Sequence, residues 1–277
     1  MHRKACCAGC SGTTTGSGVE RVSVAPNALA FVRRVAGCLV CLALATAQAQ
    51  GVPDLPDLLD AQGAIATPWR VVGFPKSQRD IPLTQFSAGS VDGERGVRVE
   101  AQRSYGTLTL ATDLAPSALR WRWRLDQPLQ GGERPPDILS KAGDDAALKV
   151  CALFDHPLDR VPFVERQLLR LARAVSGEAL PAATVCYVWD SRYDALTESA
   201  NPYTRRVRFV VLRGAGAPLQ QWVDESRDLA QDFRRLFGDE QAPDAPLPRV
   251  TQLLIGADAD NTGAHSIGWV RALRTVP

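Results

Sequence analysis

The stretch DADNTG, Asp258 to Gly263, follows the apolar run VTQLLIGA and sets Asp258, Asp260 and Thr262 at alternate positions, with Asn261 among them. Oxygens at that spacing can turn toward one hard cation, as they do in calcium loops. The glutamate that closes an EF-hand loop at its twelfth position is missing, so a calcium ion would need further ligands. Asp144 and Asp145, in KAGDDAALKV, are the natural candidates. The competing reading is a plain turn in which Asp260 and Asn261 cap backbone N–H groups.

Clustered acids also suggest hydrolysis of a glycosidic bond, where one carboxyl protonates the leaving oxygen and a second attacks or activates water. Asp144, Asp145, Glu225, Asp258 and Asp260 are the candidates for such a pair. Neither G-x-S-x-G nor H-E-x-x-H occurs, so serine-hydrolase and zincin chemistry lack their motifs. LRGAG (Leu212 to Gly216) starts like a dinucleotide fingerprint, but Leu219 stands where the third glycine belongs. A Gly-Gly turn explains it better.

A noncatalytic reading starts from tryptophan and arginine. Sugar rings stack their C–H faces on aromatic side chains, while arginines and carboxylates bond the hydroxyls. LRWRWRL puts Trp121 and Trp123 on one face and Arg122 and Arg124 on the other; CYVWD pairs Tyr187 with Trp189, and Arg208 alternates with apolar neighbours in RRVRFVVL. Paired tryptophans on an apolar strand face are usually core. The arginine-bearing face is therefore the expected ligand face, with Arg122, Arg124, Trp189, Arg208 and Glu225 as the candidate binders.

The elements that must position these residues are mostly strands. GVRVEAQ alternates Val97, Val99 and Ala101 with Arg98, Glu100 and Gln102, the period of two of a half-buried strand. YGTLTLAT, LRWRWRL, ALKVCALF, TVCYVW, RRVRFVVL, RVTQLLIG and HSIGWVRAL read the same way. Eight or nine short strands predict a mainly β fold, an antiparallel sandwich or jelly roll. Two segments interrupt the pattern with helical spacing. FVERQLLRLARAV carries a stripe of Val164, Leu168, Leu171 and Val175, and DESRDLAQDFRRLFG one of Leu229, Phe233, Leu236 and Phe237. Both are expected to cover a sheet edge or end.

Of the 277 residues, 45% are hydrophobic and 22% charged, which suits one large globular domain. The first 47 residues hold five of the 32 bases and one of the 30 acids, leaving 27 against 29. No basic excess remains to draw nucleic acid by charge alone. Arg33 and Arg34 precede the apolar run VAGCLVCLALATA, which ends in A-x-A triplets, the order of a secretory signal peptide. At thirteen residues the run is well short of the roughly 20 that a spanning helix needs. Residues 1–47 are therefore expected to be a leader, 48–68 a lead-in linker and 69–277 a single domain, periplasmic or secreted and without a membrane span. CAGC and CLVC fall inside that leader, which argues against zinc. Cys151 and Cys186 are left, an even number that allows one disulfide or two buried thiols.

In order, WRWRL, KAGDDAALKV, CYVWD, VVLRGAG, WVDESRDLAQDFRRLFG and GADADNTG resemble the bacterial secreted family known as domain of unknown function 3047, over about residues 69 to 275. The resemblance implies a single extracytoplasmic domain and transfers no catalytic residue. The expectation is a secreted, noncatalytic β-sandwich that binds an envelope glycan or another polar envelope ligand, with calcium as a supporting ion. A carboxylate-pair glycosidase is the alternative, and a structural module that binds an envelope protein is the third reading.

Overall fold

In the computed structural model, residues 54–74, 80–130, 132, 134–177 and 179–276 are described; the expected leader lies outside them. Twelve strands are found among these residues. They are β1 (Arg70–Val72), β2 (Gln85–Val91), β3 (Glu94–Gln102), β4 (Tyr105–Leu114), β5 (Ala118–Gln130), β6 (Leu148–Phe154), β7 (Ala183–Trp189), β8 (Glu198–Ala200), β9 (Val207–Arg213), β10 (Val223–Asp228), β11 (Val250–Asp258) and β12 (His265–Val276). Helix α1 (Phe163–Ser176) separates β6 from β7, and α2 (Leu229–Phe237) follows β10.

The strands form a seven-stranded sheet, ordered β1-β4-β11-β6-β7-β9-β8, and a five-stranded sheet, ordered β10-β5-β12-β3-β2. The alternating sequences dictate which faces meet. Val97, Val99 and Ala101 of β3 and Leu119, Trp121, Trp123 and Leu125 of β5 are buried against Val150, Ala152, Tyr187, Val210, Leu253 and Ile255 of the larger sheet, within one continuous core. Each large side chain so placed contributes about 1.5–3 kcal/mol of hydrophobic burial. Trp121 packs on Tyr187 with ring centroids 5.3 Å apart, and Trp123 on Trp189 at 5.4 Å. The β-sandwich expected from the alternation is the observed fold.

Several expectations change in detail. The larger sheet is mixed, because β7 and β9 run parallel, with Thr184 opposite Val207. Strand β7 is a continuous apolar run and β9 is apolar from Phe209 to Leu212, and such runs carry no sign of strand direction. The segment DESRD is strand, where a helix was expected: β10 pairs with β5, Asp224 opposite Arg122, and the helix begins only at Leu229. Asp228 is its N-cap, accepting from the N–H groups of Ala230 and Gln231. The lead-in is docked on the domain, since Leu58 is 6% exposed and belongs to the main core.

The largest correction concerns α1. Its only buried residue is Leu169, packed in a small satellite cluster with Val161 and Ala182. The stripe expected to cover a sheet is turned outward, with Val164 67%, Leu168 60%, Leu171 62% and Val175 79% exposed. In α2 the corresponding stripe is buried as expected, Phe233 and Phe237 completely. Cys151 and Cys186 stand opposite one another on β6 and β7 and are joined by a disulfide, with Cα atoms 4.1 Å apart.

Candidate functional site

The face of the five-stranded sheet turned away from the core gathers the alternate residues of five strands. Arg122 on β5 has Arg271 of β12 and Asp224 of β10 as its cross-strand neighbours, and Trp269 sits between Arg124 and Arg98. Arg122 donates through Nη1 to both carboxylate oxygens of Glu94 at 2.9 Å and lies 3.2 Å from Asp224 through Nε. Arg271 also pairs with Glu94. Arg98 reaches Glu100 at 2.5 Å, and the same carboxylate meets His265 Nε2 at 2.9 Å. The Arg98 bond holds the Glu100 carboxyl below its ordinary range against the opposing effect of burial.

Two indoles lie on this face, Trp222 partly exposed and Trp269 buried. Trp222, partly exposed, has the guanidinium groups of Arg122 and Arg271 each 5.8 Å from its ring centre, within cation–π range. Its Nε1 has no hydrogen-bond partner among the described residues. Trp269 donates to Asp126 at 2.9 Å. Glycines let both rings lie close to the strands: a Cβ on Gly96 would meet Trp222 at 3.4 Å, and one on Gly89 would meet Trp269 at 3.0 Å. The alternation that identified Arg122 and Arg124 extends to Trp269 and Arg271 in HSIGWVRAL. That shared parity was the signal available for finding them.

The other expected ligand residues are placed differently. Arg124 projects on the expected face but is 6% exposed, paired with Asp92 and with Asp126; it supports the surface from below. Trp189 is 1% exposed and is a core side chain, because its parity on β7 directs it toward Trp123. Arg208, also buried, stacks on Phe237 at 4.2 Å and donates to Glu240 at 2.6 Å and to Asp239 at 2.7 Å. It belongs to an ion network under α2. Glu225 accepts from Trp123 Nε1 at 2.9 Å and from Arg213 Nε at 2.7 Å, so it ties β10 to the core and is far from free. Only Arg122 of the five remains an accessible candidate.

The acids of GDD and DADNTG, far apart in sequence, do come together where β6 begins and β11 ends. Asp258 accepts from Ala146 N at 2.7 Å and from Lys149 Nζ at 2.5 Å. Asp145 accepts from the Asn261 and Thr262 amides and from Thr262 Oγ1 at 2.5 Å. Both carboxylate oxygens of Asp144 accept from Asn201 Nδ2, each at 2.7 Å. Burial, assisted by Asp258, raises the carboxyls of Asp144 and Asp260 to about 6, and burial likewise pushes the Tyr105 phenol up. Burial opposes the charge on Lys149, yet Asp258 and Tyr105 more than restore it.

These residues do not fit calcium. Among the described residues no group of three or more His, Cys, Asp or Glu is arranged to hold a metal ion. The ammonium of Lys149 already stands against Asp258, and backbone amides and Thr262 engage Asp145. The fixed cation of this cluster is the lysine, which lies in strand β6 with no acidic motif of its own to reveal it. The chemistry of Asp258, Asp260 and Thr262 is that of a turn bonded to the neighbouring GDD loop.

Comparison with known proteins adds one finding. The family described as Protein of unknown function (DUF3047) matches residues 67–274, and no curated protein matches the chain. The chain belongs to the DUF3047 family.

Proposed function

We propose that this DUF3047 protein is a secreted, noncatalytic binding module that takes a hydroxyl-rich envelope glycan on the outer face of its five-stranded sheet. The observation that carries the reading is Trp222: a partly exposed indole flanked by two guanidiniums, with Glu94 and Asp224 beside it. A pyranose ring laid on that indole would gain stacking, while the surrounding carboxylate and guanidinium groups offer acceptors and donors for its hydroxyls. The charged groups are already paired with one another, so they are held in place before a ligand arrives, which limits the ordering cost of binding. The disulfide between β6 and β7 supports an oxidising, extracytoplasmic location.

The test is binding of the purified protein to a panel of envelope glycans, read by calorimetry and by thermal unfolding. A ligand at a hundred times its dissociation constant stabilises the folded state by about 2.7 kcal/mol. Trp222→Ala is expected to abolish that stabilisation and Arg122→Gln to weaken it, with circular dichroism unchanged. Glycan binding that survives Trp222→Ala would remove the reading.

One observation favours a second reading. Two carboxyls held at about 6, Asp144 and Asp260, are in the range useful for proton transfer near neutral pH. A carboxylate-pair hydrolase at this cluster would lose turnover of glycosidic substrates in Asp144→Asn and Asp260→Asn, while Trp222→Ala would leave the chemical step intact.

A further inference from the structure

The outer face of the five-stranded sheet carries a second pair of arginines beside the indole of Trp222. Strands β5 and β12 place Arg271 opposite Arg122 and, on the next outward rung, Arg274 opposite Arg120. The ladder slips between these rungs, where β12 holds one extra residue and Ala272 takes a φ of 50°. Without the extra residue Leu273 would stand opposite Arg120. With it Leu273 is 4% exposed, part of the core, and Arg274 is exposed. Bulges re-aim side chains in this way; this one turns a leucine in and a second arginine out.

The two rungs differ in their counter-charges. Arg122 and Arg271 share Glu94, and Asp224 adds to Arg122. Arg120 and Arg274 are both exposed, and among the described residues neither forms an ion pair; Arg120 donates to Ser226 Oγ at 3.3 Å. Asp228, one rung further along β10 and opposite Ala118, is engaged as the N-cap of α2. Like charges directly opposite one another weaken a sheet, so the pairing of β5 with β12 gains nothing from this rung. Two forked guanidiniums are instead suited to a carboxylate, which each can bond bidentately. The rung lies about 7 Å along β5 from the one that flanks Trp222.

We propose that the ligand of this face is an acidic glycan, one sugar ring stacked on Trp222 and a carboxylate of the same chain held between Arg120 and Arg274. The inference rests on the glycan reading above and narrows it to a substrate class.

The experiment is calorimetry of the purified protein with oligogalacturonate and oligoalginate, each as the free acid and as its methyl ester, which keeps the rings and removes the charge. The free acid should bind at least tenfold more tightly than the ester, and less so as salt rises. Arg120→Gln with Arg274→Gln should bring the acid to the affinity of the ester and leave ester binding as it was. The thermal midpoint of that variant should be unchanged or raised, since a like-charge pair is removed. Trp222→Ala should abolish binding of both forms. Equal affinity for acid and ester, or an acid preference that survives the double arginine variant, overturns the proposal and leaves the stacking reading standing. So does competition by acetate as effective as by the acid oligomer, which assigns the pair to free anions. Binding of no glycan, neutral or acidic, removes the sheet-face reading and this inference with it.

Discussion

Helices α1 and α2 look alike as sequences and behave oppositely as structures. Each has apolar residues at helical spacing and arginines on its other side, yet Phe233 and Phe237 of α2 are fully buried while Leu168 and Leu171 of α1 face solvent. The difference lies in what each helix is offered. Helix α2 meets an aromatic floor, Phe154 on Phe233 at 4.5 Å, and a buried polar anchor, Asp232, which accepts from Tyr187 at 2.6 Å and from Arg227 and Arg235. Helix α1 meets only small or branched side chains in its cluster, Val161 and Ala182 with Leu158 and Leu180 beside them. Periodicity reports that a helix has an apolar side; the surface beneath decides whether that side points in.

That contrast can be broken by substitution. Phe233→Ala should cost about 3–5 kcal/mol of unfolding free energy, the ordinary loss for a large core side chain, measured by denaturant titration. A loss under 1 kcal/mol would mean that α2 is no better seated than α1. Acid sharpens the same difference. Burial would raise the Glu240 carboxyl under α2, but Arg206, His156 and Arg208 outweigh it and hold it at about 2. Its stabilisation is thus complete above the unfolded value of 4.5 and lost as pH falls toward 2, about 3 kcal/mol in all. The stability gap between wild type and Glu240→Gln should narrow across that window, and a constant gap would contradict the assignment.

The acid cluster has the opposite sign and serves as the internal reference. Asp144 and Asp260 titrate near 6 when folded against 3.8 unfolded, so the folded state prefers their protonated forms and loses stability as pH rises from about 4 to 6. Asp144→Asn should stabilise at pH 7 by on the order of 1 kcal/mol, discounted for partial exposure, and make no difference near pH 4. The smallest effect belongs to α1: Leu168→Gln with Leu171→Gln should move stability by no more than about 0.5 kcal/mol. A larger loss would show that the exposed stripe is packed after all.

What sequence conveyed follows from these energetics. The parity of GVRVEAQ and LRWRWRL reported buried and open faces correctly, because one side of each strand is in the core. Strand β8 and strand β1, three residues each, exist only through pairing and have no pattern to read. DESRD looked like a first helical turn because acids favour helix N-termini, although only Asp228 fills that role. On the open sheet Arg122 was legible, whereas Arg124 sits under Asp92, from a turn that no local pattern links to it. Lys149 was the hardest: its partner Asp258 is 109 residues away, and a lysine inside an apolar strand does not announce the carboxylate it will meet.

The disulfide acquires a further meaning from its place. It bridges β6 and β7 across a sequence separation of 35, and the segment it closes is the excursion that carries α1. A covalent loop of that length restricts the unfolded chain by about 3.5–4 kcal/mol in the chain-entropy account. More particularly, it clasps the excursion at its neck. The strand pairing at the base of that excursion, Cys151 opposite Cys186, is thereby held in register whatever sequence the excursion carries.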